Sequence, residues 1–334
     1  MKKQFYEKAS ELYAKGIFDL LDMGTLFALN VGKDTYYCVV EDNAIFMYKN
    51  QRGFESWIEL IDQEEEISDL RALELEYMKY GISLSFDDLE NLSKPEVKEL
   101  KQLEIDYREM ELIPRFRHHD ELTLPYRIKE DEFDVMNALL ITLTDIMENN
   151  FNLFDEERKL LEEDEDLLDE EEVEEKIKTA TIEEDSKVFW NEVELPEDFD
   201  RYPSPRLNEK EANTYRRMRS NGKEWDLHLF IVPNANESKA HLFPIAGVLF
   251  DDDSKKMLGY SLTRDYDEYC EDFLGELLDA MDDFGKPEIL SVSTPRAESL
   301  VRTLCEQIDL PLQLVSSFED TDTMEVQLIK NYNY

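Results

Sequence analysis

The 334-residue sequence predicts an α+β protein of two folded domains separated by an acidic segment. Three observations carry this. Hydrophobic residues make up 42% and aromatics 11%, enough for two cores in a chain of this length. Strand-length apolar runs cut by turn residues fill the first part, whereas three strand patterns followed by alternating helix and strand patterns fill the last. Between them, Asp155–Glu175 holds fourteen acidic and two basic residues, a density of like charge that resists packing. The boundaries read 1–151 for an N-terminal α+β domain with an antiparallel sheet, 152–178 for an acidic linker or loosely docked helix, and 179–334 for a C-terminal mixed-sheet α/β domain with its core at 225–317.

In the N-terminal part, Phe5, Ala9, Leu12 and Tyr13 share one helical face, and Gly16 ends that helix. "GTLFALNV", "DTYYCVVE" and "NAIFMYKN", separated by Gly32-Lys33-Asp34 and Glu41-Asp42-Asn43, predict an antiparallel meander. "FESWIELI" reads as a short helix and "GISLSFDD" as a strand. Ser93-Lys94-Pro95-Glu96 is a capping box opening a helix to about Leu103. "MELIPRFRHHDELTLPYRI" reads as extended chain broken at Pro114 and Pro125; a long helix then starts near Lys129 and buries Phe133, Met136, Leu139, Leu140 and Leu143.

Past the acidic run, "KIKTATI" and "KVFWNEVEL" predict a strand pair, placed here with the C-terminal domain. From Trp225 the order becomes β-β-β-α-β-α-β: strands "WDLHLFIVP", "AHLFPIAGVLFD" and "KMLGYSLTR", a helix at about Asp267–Phe284, strand "EILSVS", helix "PRAESLVRTLCEQI" and strand "LQLVSS". Antiparallel strands followed by helical crossovers predict a mixed sheet with helices on its faces.

The net charge of −43 disfavours direct nucleic-acid binding, whose affinity comes from Lys and Arg, and favours a basic protein partner. Glu162, Glu163, Asp164, Glu165, Asp166, Glu170, Glu171 and Glu172 are the candidate partner-binding acids. Arg216, Arg217 and Arg219 form a rare basic cluster, read as charge balancing or as a phosphate contact. No apolar run approaches the roughly 20 residues of a membrane helix, and "MKKQFYEKASELYAKG" has no apolar signal core, so the expectation is a cytoplasmic protein without a membrane. Cys38, Cys270 and Cys305 are isolated, which predicts buried thiols rather than a zinc or redox motif. Phosphate-loop, dinucleotide-binding and G-x-S-x-G motifs are absent from the sequence. His118 and His119 are adjacent on extended chain, which makes them a poor chelating pair and predicts a surface strand.

The order from Trp225 to Ser317 resembles the RNase H-like fold in its integrase variant. "HLFPIAGVLFDDDSKKMLGYSLTR" is similar to the integrase strand–Asp–turn–strand segment, and "FGKPEILSVS" to its Gly-x-Pro-strand. The whole chain also resembles a family of bacterial two-domain proteins, both domains of unknown function. That likeness rests on "YYCVV" at Tyr36–Val40, the P-x-F-R element at Pro114–Arg117, Pro125-Tyr126 with "KEDEF", and Leu242–Phe318; it implies a shared architecture.

The integrase resemblance implies a two-metal nuclease, which needs carboxylates from separate strands around Mg²⁺ or Mn²⁺. The first acid, three positions after a strand Trp, falls on His228; Asp226 fits only with a shifted register. The second falls on Ser293-Thr294, and the third has Glu319, Asp320, Asp322 and Glu325 as undiscriminated choices. The leading reading is therefore a non-catalytic interaction protein on a degenerate RNase H-like domain. One alternative is a metal-dependent nuclease or phosphotransfer enzyme with a rearranged set, Asp226, Asp251 and Glu298; another is a nucleic-acid mimic that occupies a DNA-binding protein.

Overall fold

The computed structural model describes residues 2–61, 74–108, 110–149, 176–183, 187–195, 202–232, 243–263 and 266–315. The eight acids proposed for partner binding and the four choices for a third metal ligand lie outside them. The chain forms two compact units, one of Met1–Ile61, Lys79–Glu121 and Pro125–Phe199, the other of Asp62–Met78, Leu122–Leu124 and Asp200–Tyr334.

The first unit is built on an eight-stranded sheet. Strands β1 (Leu26–Val31), β2 (Asp34–Glu41) and β3 (Ala44–Lys49) form the expected meander, since Gly32 and Asn43 take the positive φ of 64° and 49° that the two-residue turns require. β4 (Gly81–Asp87), β5 (Ile113–His119) and β6 (Tyr126–Arg127) extend it on one side, and β7 (Lys176–Ile182) with β8 (Val188–Glu194) on the other, giving the order β6-β5-β4-β3-β2-β1-β7-β8. β7 pairs parallel with β1, so the hairpin after the acidic run completes this first sheet rather than the second. Pro114 lies inside β5, opposite Phe86. Among the described residues β6 pairs only at Arg117 and His118, so Pro114 sits where β5 has no described neighbour on that side and its missing N–H is tolerated.

Helices cover both faces of this sheet. α1 (Lys2–Ala14) and α5 (Phe133–Asn149) bury Phe5, Ala9, Leu12, Met136, Leu139 and Leu143 against the face of Phe27, Leu29, Cys38 and Met47. α2 (Ile17–Leu20) follows Gly16, whose φ is +81°. α3 (Asn50–Ile61) sets Phe54 on the opposite face, with Tyr37, Val39, Phe46 and Tyr48. α4 (Lys94–Gln102) starts at the Ser93 capping box; Glu96 also accepts from Arg115 at 3.1 Å and Arg117 at 3.0 Å. The P-x-F-R element therefore pins α4 to β5 while Phe116 packs with Phe5 and Tyr6.

The second unit holds a five-stranded sheet. β9 (Glu224–Ile231), β10 (Ile245–Asp251), β11 (Lys256–Thr263), β12 (Ile289–Val292) and β13 (Leu312–Leu314) stand in the order β11-β10-β9-β12-β13. β10 is antiparallel to β9 and β11, and β12 is parallel to β9 and β13. This is the RNase H-like order, three antiparallel strands followed by two parallel ones. α6 (Glu209–Arg217) precedes the sheet, and α7 (Tyr266–Phe284) and α8 (Pro295–Ile308) make the crossovers. Both crossovers move in the same direction across the sheet, so right-handed connections place both helices on one face. Phe273, Leu277, Leu300 and Leu304 accordingly pack with Trp225, Leu227, Leu229 and Leu290 in one core. The other face carries Phe230, Val232, Ala246, Val248 and Phe250, all buried.

Candidate functional site

Alternation along β9 decides which side chains meet. Trp225 stands opposite Asp251 and Asp226 opposite Phe250. Trp225 and Asp251 therefore share the helix-covered side, while Asp226, His228, Phe250 and Asp252 share the other. On β12, Leu290 and Val292 join the helix-side core and Ser291 stands opposite Asp226. One step beyond the last pair, Leu227 with Val292, come His228 on one strand and Ser293 on the other. The two positions expected from the sequence for the first two acids are thus neighbours here, and they carry an imidazole and a hydroxyl.

His228 is buried, stands opposite Val248 and meets the Phe250 ring edge-on at 5.6 Å. At the corner, Thr294 is the N-cap of α8: its Oγ accepts from the Ala297 N–H at 3.2 Å. A side chain capping a helix satisfies a donor the helix leaves open. Arg296 follows in the first turn, 1% exposed; it donates to Glu74 at 2.6 Å and lies 5.1 Å over the Tyr202 ring. These residues do not fit Mg²⁺ or Mn²⁺, which take charged oxygen shells, because the corner offers a buried imidazole, a hydroxyl committed to capping and a buried guanidinium.

The acids of the rearranged set are not brought together. Asp226 is 8% exposed and shares a hydrogen bond with Asp252, not with Asp251. Burial first, then the neighbouring Asp252 charge, pushes Asp226 up to about 7, while Lys255 and Asp226 hold Asp252 below the usual carboxylate range. The two carboxyls titrate as a pair, Asp226 holding its proton to higher pH than Asp252. Asp252 also accepts from Lys255 at 2.6 Å, and its N–H donates to the Glu224 carbonyl at 2.9 Å. Asp251, on the other side, accepts from the Ser254 N–H at 2.8 Å, and Asp253 from Lys223 at 2.9 Å. Glu298 belongs to α8, on the helix side, and pairs with Arg302 at 3.0 Å. Among the described residues, no three His, Cys, Asp or Glu side chains gather as a metal would need.

The basic cluster splits. Arg216 donates to the Gln307 carbonyl at 2.9 Å, and Lys286 to the Ile308 carbonyl at 3.1 Å. Both cations meet the open carbonyls at the C-terminus of α8, where the helix dipole favours positive charge. Arg217 and Arg219 are exposed.

Sequence reasoning missed Asp252 as the partner of Asp226, although residues two apart on a strand share a face and Phe250 fixes the parity. It also missed Arg296 and Glu74; the signal was a cation in the first turn of a helix, where the dipole disfavours it unless a carboxylate answers. His118 and His119 are both buried, not on a surface strand. They point to opposite sides of β5, as expected: His118 lies between Glu132 and Asp120, the latter at 3.1 Å, and His119 bonds Ser83 Oγ at 2.9 Å. All three cysteines are free and buried, and burial pushes the Cys38 thiol up. Among the described residues, no helix is long and apolar enough to cross a membrane.

No curated protein matches the chain. Among solved structures, it is similar to a chain of the simian T-cell lymphotropic virus intasome in complex with PP2A regulatory subunit B56 gamma, at 17% identity, 36% of this chain, 44% of that one and a TM-score of 0.26. It is also similar to the HTLV-2 integrase catalytic core domain in complex with magnesium, in trimeric and dimeric forms. Both are at 15% identity and a TM-score of 0.26, covering 34% of this chain and 74% and 75% of theirs. The chain spans less than half the length of the first of these. Residues 213–328 match the Domain of unknown function (DUF6930). Residues 3–170, half of the chain, match the Domain of unknown function (DUF7309), and the chain belongs to that family.

Proposed function

We propose that the chain is a non-catalytic, acidic cytoplasmic protein that binds a basic protein partner and uses an RNase H-like unit as a scaffold. The observation that carries this reading is the pair of positions beyond Leu227 and Val292. There an integrase-type nuclease places two carboxylates, and here stand His228 and Ser293, followed by Thr294 committed to capping α8. The acids that do lie close, Asp226 and Asp252, are hydrogen-bonded to each other, and burial pushes Asp226 up to about 7, which disfavours the charged form a cation would need. A net charge of −43 supports attraction to a basic surface.

The test is cleavage of labelled DNA and RNA by the full chain with Mg²⁺ or Mn²⁺, beside Asp226→Ala. No divalent-dependent cleavage is expected from either protein. Cleavage by the wild type that Asp226→Ala abolishes would overturn the reading.

A further inference from the structure

Strand β8 ends the eight-stranded sheet, and among the described residues it pairs only with β7. Its seven residues run through seven consecutive pairs without a register shift and contain no proline. In an antiparallel ladder every second residue aims its N–H and C=O away from its neighbour. Among the described residues, an edge of this length without bulge or proline is therefore open to another strand. Its side chains are equally open. Phe189 is 45% and Val193 38% exposed, and they share a face, standing opposite Thr181 and Ile177. The alternate face is anchored by Trp190, whose Nε1–H donates to Asp145 at 3.0 Å, and ends in exposed Glu192 and Glu194.

Charge selects the occupant. Glu192 and Glu194 stand opposite Lys178 and Lys176 on β7. A strand added outside β8 would lie about 4.8 Å from β8 and roughly twice that from β7, so its side chains stand beside the two glutamates and one strand farther from the lysines. A second copy of this chain would bring another 43 negative charges with it. We propose that the β8 edge takes up, by strand addition, an extended segment of a basic protein, with apolar side chains over Phe189 and Val193 and Lys or Arg beside Glu192 and Glu194. This rests on the reading as an interaction protein and names its surface.

The probe is a fluorescein-labelled seven-residue peptide of alternating Val and Lys, titrated into the full chain by anisotropy at low and high salt. A block-ordered peptide of the same composition serves as control. Phe189→Lys/Val193→Lys and Glu192→Gln/Glu194→Gln are tested beside the wild type, all four positions being exposed and each variant checked for an unchanged unfolding midpoint. The alternating peptide should bind more tightly than the block peptide and weaken with salt. It should lose about tenfold or more in affinity on the Lys variant and several-fold on the Gln variant. Equal affinity for both peptides, or in wild type and both variants, would overturn the proposal, since the acids elsewhere would then account for binding. Dimerisation of the peptide-free chain in sedimentation, dissolved by the Lys variant, would also overturn it by making a second copy the occupant. Divalent-dependent cleavage by the same sample would defeat the non-catalytic reading and leave the edge result intact.

Discussion

Arg296 and Glu74, 222 residues apart, form an ion pair at 2.6 Å with side chains 1% and 3% exposed. The pair sits at the start of α8, directly after the Ser293-Thr294 corner. Tyr202 faces the guanidinium, and the backbone of Tyr77 and Leu122 closes the same core, with the Leu122 N–H donating to Tyr77 and the Phe243 N–H to Leu122, each at 2.6 Å. Segments distant in sequence thus complete the second unit.

Removing one partner takes the 2.6 Å counter-charge away from a buried ion. Arg296→Met or Glu74→Gln alone should destabilise the second unit by about 3–5 kcal/mol in urea unfolding. Arg296→Met combined with Glu74→Leu should recover much of that loss, because an apolar pair has no charge to desolvate. Equal losses for single and double variants would contradict a role confined to this pair.

The two histidines of β5 should titrate with opposite sign. Burial opposes charge on His118, but hydrogen bonds to Asp120 and Glu132 outweigh it and hold the group above 6.5. Its contribution is full below about 6.5 and is lost as pH rises through the raised folded value. Burial first, then Lys79 and His118, pushes His119 down to about 3. Between about 3 and 6.5 the unfolded chain binds a proton that folded His119 refuses, so stability falls with falling pH there, by about 1.4 kcal/mol per unit. His118→Gln should therefore lose most relative to wild type in mild acid, and His119→Gln should flatten the acid limb. Unfolding midpoints from pH 5 to 8 check both.

Asp226 carries the third pH effect. Its folded value near 7 lies above the ordinary 3.8, so its contribution is present below about 3.8 and is lost as pH rises through 7. Asp226→Asn keeps a donor toward Asp252 and removes the titration. The variant should be more stable than wild type above pH 7, by on the order of 1–3 kcal/mol, and lack the slope between pH 4 and 7. A wild-type slope unchanged in the variant would contradict the raised value of Asp226.

Gly247 marks where α7 crosses β10. A Cβ there would meet Phe273 Cδ1 at 2.4 Å, and Phe273 is only 2% exposed. Gly247→Ala should cost about 1–3 kcal/mol, and Phe273→Leu should relieve part of it in the double variant. Thermal unfolding of the four proteins forms the cycle.

Local chemistry made much of this fold legible. The meander was readable because turn residues with positive φ punctuate β-rich runs, and α4 because Ser93 and Glu96 cap each other. The β-β-β-α-β-α-β order was readable from alternating periods. Its strand order followed from resemblance, while the shared face of α7 and α8 needed the handedness rule. Pairings without a local signal stayed hidden. β7 joins β1 in parallel, where Asn30 meets Thr181 across 151 residues, and Glu74 reaches Arg296 over 222. At the candidate site the corner was legible at Ser293-Thr294. The partner of Asp226 was not, because Asp251, Asp252 and Asp253 look alike until strand parity separates them.

The most direct measurement is Mn²⁺ binding to the full chain by calorimetry, with Asp226→Ala measured beside it. The two isotherms should superimpose, with only weak uptake by the many surface carboxylates. A stoichiometric site present in the wild type and lost in Asp226→Ala would contradict the non-catalytic reading and restore a catalytic metal centre to this fold.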